Sequence, residues 1–411
     1  MKKIINLGVG LLLLFCATAF AGEAVSPEVT ETLYQEGTIK RRLQEGIGLG
    51  PGKQWRISPG FKFATVFDSN INREPSGQRD EDVIFNIIPS VALTRVGSQF
   101  GILSDYEMNY QAYVKDSSQS GFNNRIKNSI WYNGEKLTAK VSEGFGYMKT
   151  YATSEQSERR TFVYNDVNPE IIYNLTTKIS VSGLYRNYFF HYTDSILKQF
   201  SYDQNDFGGR AYYHITPKTD VFVEGQGNLT DYYRSGLFDS HGFGIYAGAI
   251  GRPTAKMILN LRTGFQGREY ENDRINDFNN WVGELGLRYS LTSKIDATLI
   301  AKRGIEESVY QNVGYYTFNQ IGLTLDYRIF PKIRLGVGGH FQNNRYPSET
   351  IEGTELEKRH DSIVIVDPKL TWEPLRNLKF GLGYTFSDRE SNFSTFEYVD
   401  HMVEASASYR F

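Results

Sequence analysis

The chain has 411 residues, among them 28 tyrosines, 27 phenylalanines and 39 glycines, with a mean hydropathy of −0.43 and a formal net charge of −2. After residue 21 no apolar run is long enough to form a membrane-spanning helix, so a helical membrane protein is excluded. The near-neutral charge gives no support to a nucleic-acid binder. An aromatic-rich chain of weak hydropathy instead favours a barrel whose strands show apolar residues to lipid and polar residues to a lumen.

Residues 1–21 have the layout of a secretory signal peptide. Two lysines precede an apolar run, and small residues flank a cut after Ala21. Phe15 is too large to precede the cysteine of a lipoprotein signal, so we expect the only cysteine, Cys16, to leave with the signal. The mature chain would then have no disulfide and no cysteine-ligated metal site, and we expect neither a metal nor a cofactor.

Residues 22–52 differ from everything that follows. The segment is rich in Glu, Thr, Lys and Arg and has few apolar residues to bury. We predict a periplasmic N-terminal extension, which forms at most one short helix. A docking arm for a partner and a plug in the barrel mouth are both open, although an unstructured leader is favoured.

In the remaining segment, 53–411, tight turns recur about every 40 residues and alternate with longer polar loops. The turns are centred on Gly97, Gly134, Thr176, Pro217, Thr254, Thr292, Pro331 and Leu375. The predicted loops are 69–81, 116–121, 154–158, 193–201, 234–240, 272–276, 310–312, 347–357 and 389–394. Together they predict an all-β fold, a transmembrane antiparallel up-and-down barrel of about 18 strands. A propeller has a similar period, but its blades hold four short strands each.

Several tight turns share one local phrase. Each phrase begins with a tyrosine and ends with a lysine five residues later, with threonine or proline between them, at 173–178, 213–218, 289–294 and 327–332. A tyrosine before each turn would lie at the lipid headgroups, with the lysine in the water beyond. The recurrence favours a membrane barrel over a large soluble β-protein.

The strands alternate between apolar and polar residues, and the polar set is predicted to line the lumen. In the strand at 378–386, for example, Leu378, Phe380 and Leu382 alternate with Lys379 and two glycines. The lumen-lining candidates chosen by this phase are Arg186, Tyr188, Arg210, Tyr212, Arg262, Arg268, Glu284, Arg288, Asp296, Lys302, Asp326, Arg328, Arg334, His340, Lys379, Glu404 and Arg410. We expect most of these charges to pair across neighbouring strands around a water-filled channel.

No catalytic phrase is evident. The most suggestive histidine lies in His360-Asp361-Ser362, but neighbours in a strand point to opposite faces, so adjacency does not bring the three side chains together. We therefore predict that the protein is not an enzyme.

The last eleven residues predict the closing strand of the barrel. Val403, Tyr409 and Phe411 fall on one face, whereas Glu404 and Arg410 fall on the other. A terminal phenylalanine with tyrosine two residues earlier looks like the signal that bacterial barrel-assembly machinery binds, so this machinery and outer-membrane lipid are the expected partners.

The first barrel strand carries a family resemblance. Residues 59–71, an aromatic strand that ends in Asp68-Ser-Asn70-Ile71, together with the repeated turns, resemble the β-barrel porin 2 family. The likeness covers 55–411. It implies a large outer-membrane barrel, and some members are linked to exopolysaccharide export. The family offers no catalytic residue to carry over.

Three functions follow as hypotheses. The first is export of a polysaccharide, with periplasmic export components as partners and with Tyr188, Tyr212, Arg186 and Arg210 offering stacking faces and hydrogen bonds to sugars. The second is a general diffusion porin, against which the absence of one long constriction loop counts. The third, a surface-binding or enzymatic barrel, is disfavoured by the modest loops.

Overall fold

The structure is a computed structural model, and it describes residues 46–50, 54–233, 236, 238–310, 313–352 and 355–411. The predicted signal peptide and most of the predicted N-terminal extension lie outside these residues. Within the described ranges, no helix has the length and apolarity needed to cross a membrane.

The described residues form one antiparallel sheet that closes on itself. Its strands are β1 (Ile47–Leu49), β2 (Trp55–Asp68), β3 (Asp82–Val96), β4 (Phe100–Tyr113), β5 (Gly121–Asn133), β6 (Leu137–Thr150), β7 (Arg160–Asn174), β8 (Ile179–Tyr192), β9 (Tyr202–Thr216), β10 (Thr219–Tyr232), β11 (Ser240–Thr254), β12 (Met257–Tyr270), β13 (Phe278–Ser290), β14 (Ile295–Glu307), β15 (Tyr315–Phe330), β16 (Ile333–Glu352), β17 (Glu355–Leu375), β18 (Leu378–Ser391) and β19 (Tyr398–Arg410). From β2 to β19 each strand pairs with the next, and β19 pairs with β2. The predicted eighteen-strand up-and-down barrel is thereby confirmed, because closure pairs the edges that lipid could not satisfy.

The short strand β1 lies in the segment predicted as an extension, yet it joins the sheet. It pairs with β2 from Ile47 opposite Ile57 to Leu49 opposite Trp55. On the same edge of β2, the pairing with β19 stops at Arg410 opposite Gly60. β1 therefore occupies the part of that edge that β19 is too short to reach, and it satisfies backbone groups there.

All eight predicted tight turns connect strands, and the threonine of the repeated phrase has a structural reason. The Thr176 hydroxyl accepts the N–H groups of Lys178 and Ile179, and Thr292 does the same for Lys294 and Ile295. These bonds satisfy turn donors that no strand can pair. The turns lie at the end of the barrel where the chain ends, which is the periplasmic end of such barrels.

The longer connections lie at the opposite, extracellular end, and two predicted loops are corrected there. β16 and β17 continue pairing as far as Glu352 opposite Glu355, so most of predicted loop 347–357 is a strand hairpin. A register shift between Arg345 and Glu349 accommodates Pro347, which a regular ladder would not tolerate. In predicted loop 389–394, β18 runs on to Ser391, so Arg389 belongs to the strand.

The outer surface of the barrel is apolar. On β15, for example, Ile321, Leu323 and Leu325 are 52%, 48% and 40% exposed. They alternate with Gly322 and Thr324, which face inward. The alternation places apolar side chains against lipid and leaves the polar side chains around the lumen.

Candidate functional site

The inner wall carries all seventeen lumen-lining candidates. Each occupies a strand position that alternates with the exposed apolar residues, and so lies on the inner face of the barrel. The candidates come from strands β8, β9 and β12–β19, except β17. The lumen, rather than one pocket, is therefore the candidate functional site.

At the centre of one wall, Glu224 on β10 joins two of the predicted arginines. Its carboxylate accepts hydrogen bonds from Arg210 at 2.5 Å and from Arg262 at 2.7 Å. The guanidinium carbon of Arg262 lies 3.4 Å from the centroid of the Tyr246 ring. Charge-assisted bonds and ring stacking together hold these side chains against the wall.

The rings of Phe222 and Tyr246, which point into the lumen, each lie over a glycine of the next strand. A Cβ at Gly248 would come within 2.3 Å of the Phe222 ring, and a Cβ at Gly264 within 2.7 Å of the Tyr246 ring. Only glycine leaves room for these rings close to the sheet.

Most other predicted charges also have a partner one or two strands away in the sheet. The ion pairs are Arg186 with Asp166 and Asp206, Arg288 with Asp296, Arg334 and Lys379 with Glu373, and Glu404 with Lys62 and Lys369. Arg268 pairs with Glu307 two strands away. The Tyr212 hydroxyl accepts from Arg210 and donates to Glu170, whereas the Tyr188 ring lies beside the Arg186 guanidinium. The inner wall thus carries many side chains of opposite charge that are paired with one another.

The remaining candidates lie on the same face, each opposite a named residue. In the register, Glu284 is opposite Lys302, Asp326 opposite Asp296, Arg328 opposite Arg334, His340 opposite Gly322 and Arg410 opposite Gly60. The acids Glu224, Glu307 and Glu373 were missed by sequence reasoning. The inward phase of β10 and β17 was a signal that could have found Glu224 and Glu373.

The feature that the sequence did not predict is the path of loop 151–159, between β6 and β7. Its middle lies inside the barrel against the far wall, where the Ser154 hydroxyl accepts from Gln342 at 2.9 Å and from Asn344 at 3.1 Å. On the near side, Gln156 donates to the Tyr192 hydroxyl at 2.7 Å. This short loop therefore crosses the lumen just below the extracellular rim. The absence of one long constriction loop, which the sequence analysis counted against a diffusion porin, therefore carries little weight, because a short loop that folds inward also narrows the lumen.

Two buried arginines of the far wall hold the crossing loop. Arg389 donates to the backbone carbonyls of Ser154 at 3.1 Å and Glu155 at 3.2 Å, and Arg359 donates to the Glu155 carbonyl at 3.4 Å. Arg359 is itself paired with Asp361 at 2.8 Å and lies 3.6 Å from the centroid of the Phe396 ring.

An aromatic cluster fills the interior between β7 and β15 at the same height. Its buried rings are Phe162, Phe190, Tyr192, Phe200, Tyr232, Phe238, Tyr246, Tyr270, Phe278 and Tyr315. Phe200 and Phe238 come from extracellular connections that fold inward. Together with the crossing loop, the cluster narrows the extracellular half of the lumen.

A triad of serine, histidine and aspartate lies near the periplasmic end. His214 Nε2 is 2.6 Å from Ser180 Oγ, and His214 Nδ1 is 2.6 Å from Asp220 Oδ1. The three residues lie on β8, β9 and β10, so no sequence phrase could reveal them. Ser180 is fully buried and donates its hydroxyl proton to Asn174, which speaks against a nucleophile and for a structural network. The three-residue phrase His360-Asp361-Ser362 brings no such group together among the described residues.

Among the described residues, no group of three or more His, Cys, Asp or Glu side chains is placed to hold a metal ion.

Comparison with known proteins finds a matching family model and similar solved structures. The model of the family described as "Putative beta-barrel porin 2" matches residues 45–411. OccK2 (OpdF) of Pseudomonas aeruginosa, solved in complex with glucuronate, is similar with a TM-score of 0.50 at 9% identity, over 88% of this chain and 100% of that one. A BenF-like porin from Pseudomonas fluorescens Pf-5 has a TM-score of 0.48 at 11% identity, over 87% and 99% of the two chains. At such identities the likeness to OccK2 shows the fold alone. No curated protein sequence is significantly similar to this one.

Proposed function

This chain belongs to the Putative beta-barrel porin 2 family, and on that premise we propose that it is a diffusion channel for small, uncharged hydrophilic solutes, with mono- and disaccharides as the leading class. The family and the closed eighteen-strand barrel identify a porin of the bacterial outer membrane. The solute class is argued from the inner wall.

The observation that carries this proposal is the pairing of the wall charges. Glu224 lies between Arg210 and Arg262, and Glu404 lies between Lys62 and Lys369. Opposite charges a few ångströms apart cancel at a distance, so the lumen has little net field with which to attract an ion. Their remaining donors and acceptors, with the tyrosine hydroxyls, suit the hydroxyl groups of a sugar.

The crossing loop 151–159 sets the size limit of this proposal. Because its tip is bonded to the far wall, a solute must pass beside it. A small solute can do so, whereas a folded or branched one is retained.

Proteoliposome swelling tests the proposal. We expect liposomes that contain the protein to swell in glucose and in a disaccharide and to swell much less in a pentasaccharide. In a salt gradient the reversal potential should stay near zero, because the wall is paired. A strongly ion-selective pore, or liposomes that swell no faster than empty ones, would refute the proposed solute class.

Export of a polysaccharide, expected from the family resemblance, is the second candidate. The observation that favours it is the alternation of Tyr188 and Tyr212 with Arg186 and Arg210 along the wall. A polymer, however, requires the crossing loop to leave the lumen. Deleting the gene and measuring secreted polysaccharide separates the two, since loss of secretion with no change in sugar uptake would favour export.

A further inference from the structure

The tip of the crossing loop is held on the far wall by hydrogen bonds. Ser154 contacts Tyr316, Gln342 and Asn344. Arg389 donates to the backbone carbonyls of Ser154 and Glu155, and Arg359 donates to that of Glu155. These bonds form only while the tip stays buried against the wall, so a change in charge that disfavours burial of the tip would release the loop.

Glu155, at the tip of the loop, is buried in an environment that is unfavourable for a charged carboxylate. The residue is 3% exposed, and among the described residues neither carboxylate oxygen makes a hydrogen bond of good geometry. An ionised carboxylate buried without such bonds disfavours the state that buries it.

The groups that face Glu155 come from every element packed on the tip. β17 contributes Arg359 and Asp361, and the connection after β14 contributes the Ser308 hydroxyl and Val309 N–H. Three tyrosine hydroxyls also face Glu155, those of Tyr192 on β8, Tyr316 on β15 and Tyr346 on β16. Glu306 on β14 accepts a hydrogen bond from Tyr316, and Arg389 on β18 donates to the backbone carbonyl of Glu155. Burial outweighs the attraction of Arg359, and it raises the pKa of Glu155 from 4.5 to about 7.

We propose that loop 151–159 is a gate and that Glu155 is its charge switch: neutral Glu155 keeps the loop on the far wall, and ionised Glu155 expels the loop and widens the lumen. The inference rests on the proposed channel function. It gives the protein a pore that closes in acid surroundings and opens in alkaline ones.

The direction of the pH response follows from the raised pKa of Glu155. Because the closed state holds the proton more tightly than a solvated glutamate, closure is fully favoured below the ordinary pKa of 4.5 and that preference is lost as the pH rises through about 7. A pKa difference of this size changes the ratio of open to closed gates on the order of a hundredfold across the window.

Conductance in planar bilayers at pH 5 and pH 9 tests the gate. We expect wild-type protein to conduct at least tenfold more at pH 9, and Glu155→Gln, which cannot ionise, to remain low at both. Glu158→Gln is the matched control, since Glu158 lies in the same loop but its side chain is 70% exposed. It should follow wild type. Equal wild-type conductance at the two pH values, or an unchanged pH response in Glu155→Gln, would overturn the switch.

Thiol labelling tests the gate even if no solute passes. Thr153→Cys replaces a hydroxyl that has no hydrogen-bond partner in the described part of the chain. At pH 9, where the thiol ionises alike in each protein, a water-soluble maleimide should label Thr153→Cys and Thr153→Cys/Glu158→Gln at least tenfold faster than Thr153→Cys/Glu155→Gln. Equal rates in all three would refute Glu155 as the switch of the gate. Absent conductance with the expected labelling would instead refute the channel and keep the gate.

Discussion

Glu224 is the acid on which two arginines of the inner wall depend. Its side chain and that of Arg210 are 3% and 4% exposed, and Arg262 reaches the same carboxylate from β12. Water cannot replace a partner at this depth, so the carboxylate both neutralises the guanidinium groups and fixes their direction. Arg210 and Arg262 were predicted on the inner wall from phase alone, but only the folded wall revealed the acid between them.

We expect Glu224→Gln to destabilise the barrel by on the order of 3 kcal/mol, because it replaces the carboxylate that neutralises two buried guanidinium groups by a neutral amide. The same change should shift the reversal potential toward anion selectivity. Urea unfolding in liposomes measures the change in stability, and the reversal potential in a salt gradient measures the change in selectivity. Glu269→Gln is the control, because Glu269 is exposed beside His241, and it should change neither. Unchanged stability in Glu224→Gln would contradict the role given to this acid.

At the scale of the element, strand phase decides what each side chain meets. Leu323 lies on the lipid face of β15, and Thr324 beside it lies on the inner face. The boundaries of loops 69–81 and 193–201 were also predicted correctly, because clusters of polar and turn-forming residues mark them. The predicted loop 347–357 failed for a local reason, since Pro347 signals a break but the strands resume pairing beyond a bulge.

A pair of arginine substitutions tests this phase. Leu323→Arg places a charge in lipid and should cost about 2–4 kcal/mol of unfolding free energy near the middle of the bilayer. Thr324→Arg points into water and should leave stability within about 1 kcal/mol while it alters single-channel conductance. Equal losses of stability in the two variants would mean that the faces of β15 have been assigned wrongly.

At the scale of the whole molecule, closure is carried by the pairing of β19 with β2 and is completed by β1 at the periplasmic rim. The prediction that the extension is an unstructured leader, separate from the barrel, stays a prediction, because residues 22–45 lie outside the described part of the chain.

Deleting residues 22–45 tests this separation. We expect the shortened mature chain to refold in detergent, to keep its heat-dependent shift in gel mobility and to conduct as the full chain does. A truncated protein whose conductance increases several-fold would show that the segment plugs the lumen, contrary to this expectation.

The sequence by itself determined the class of fold, the strand number and the turns, because alternation with period two and turn chemistry are local properties. Only the tertiary structure decided that Glu155 lies against Arg359, that Ser180 meets His214 and Asp220, and that a short loop crosses the lumen. Those contacts join residues far apart in the chain, and they depend on how the closed barrel curves its walls toward one another, which no local pattern encodes.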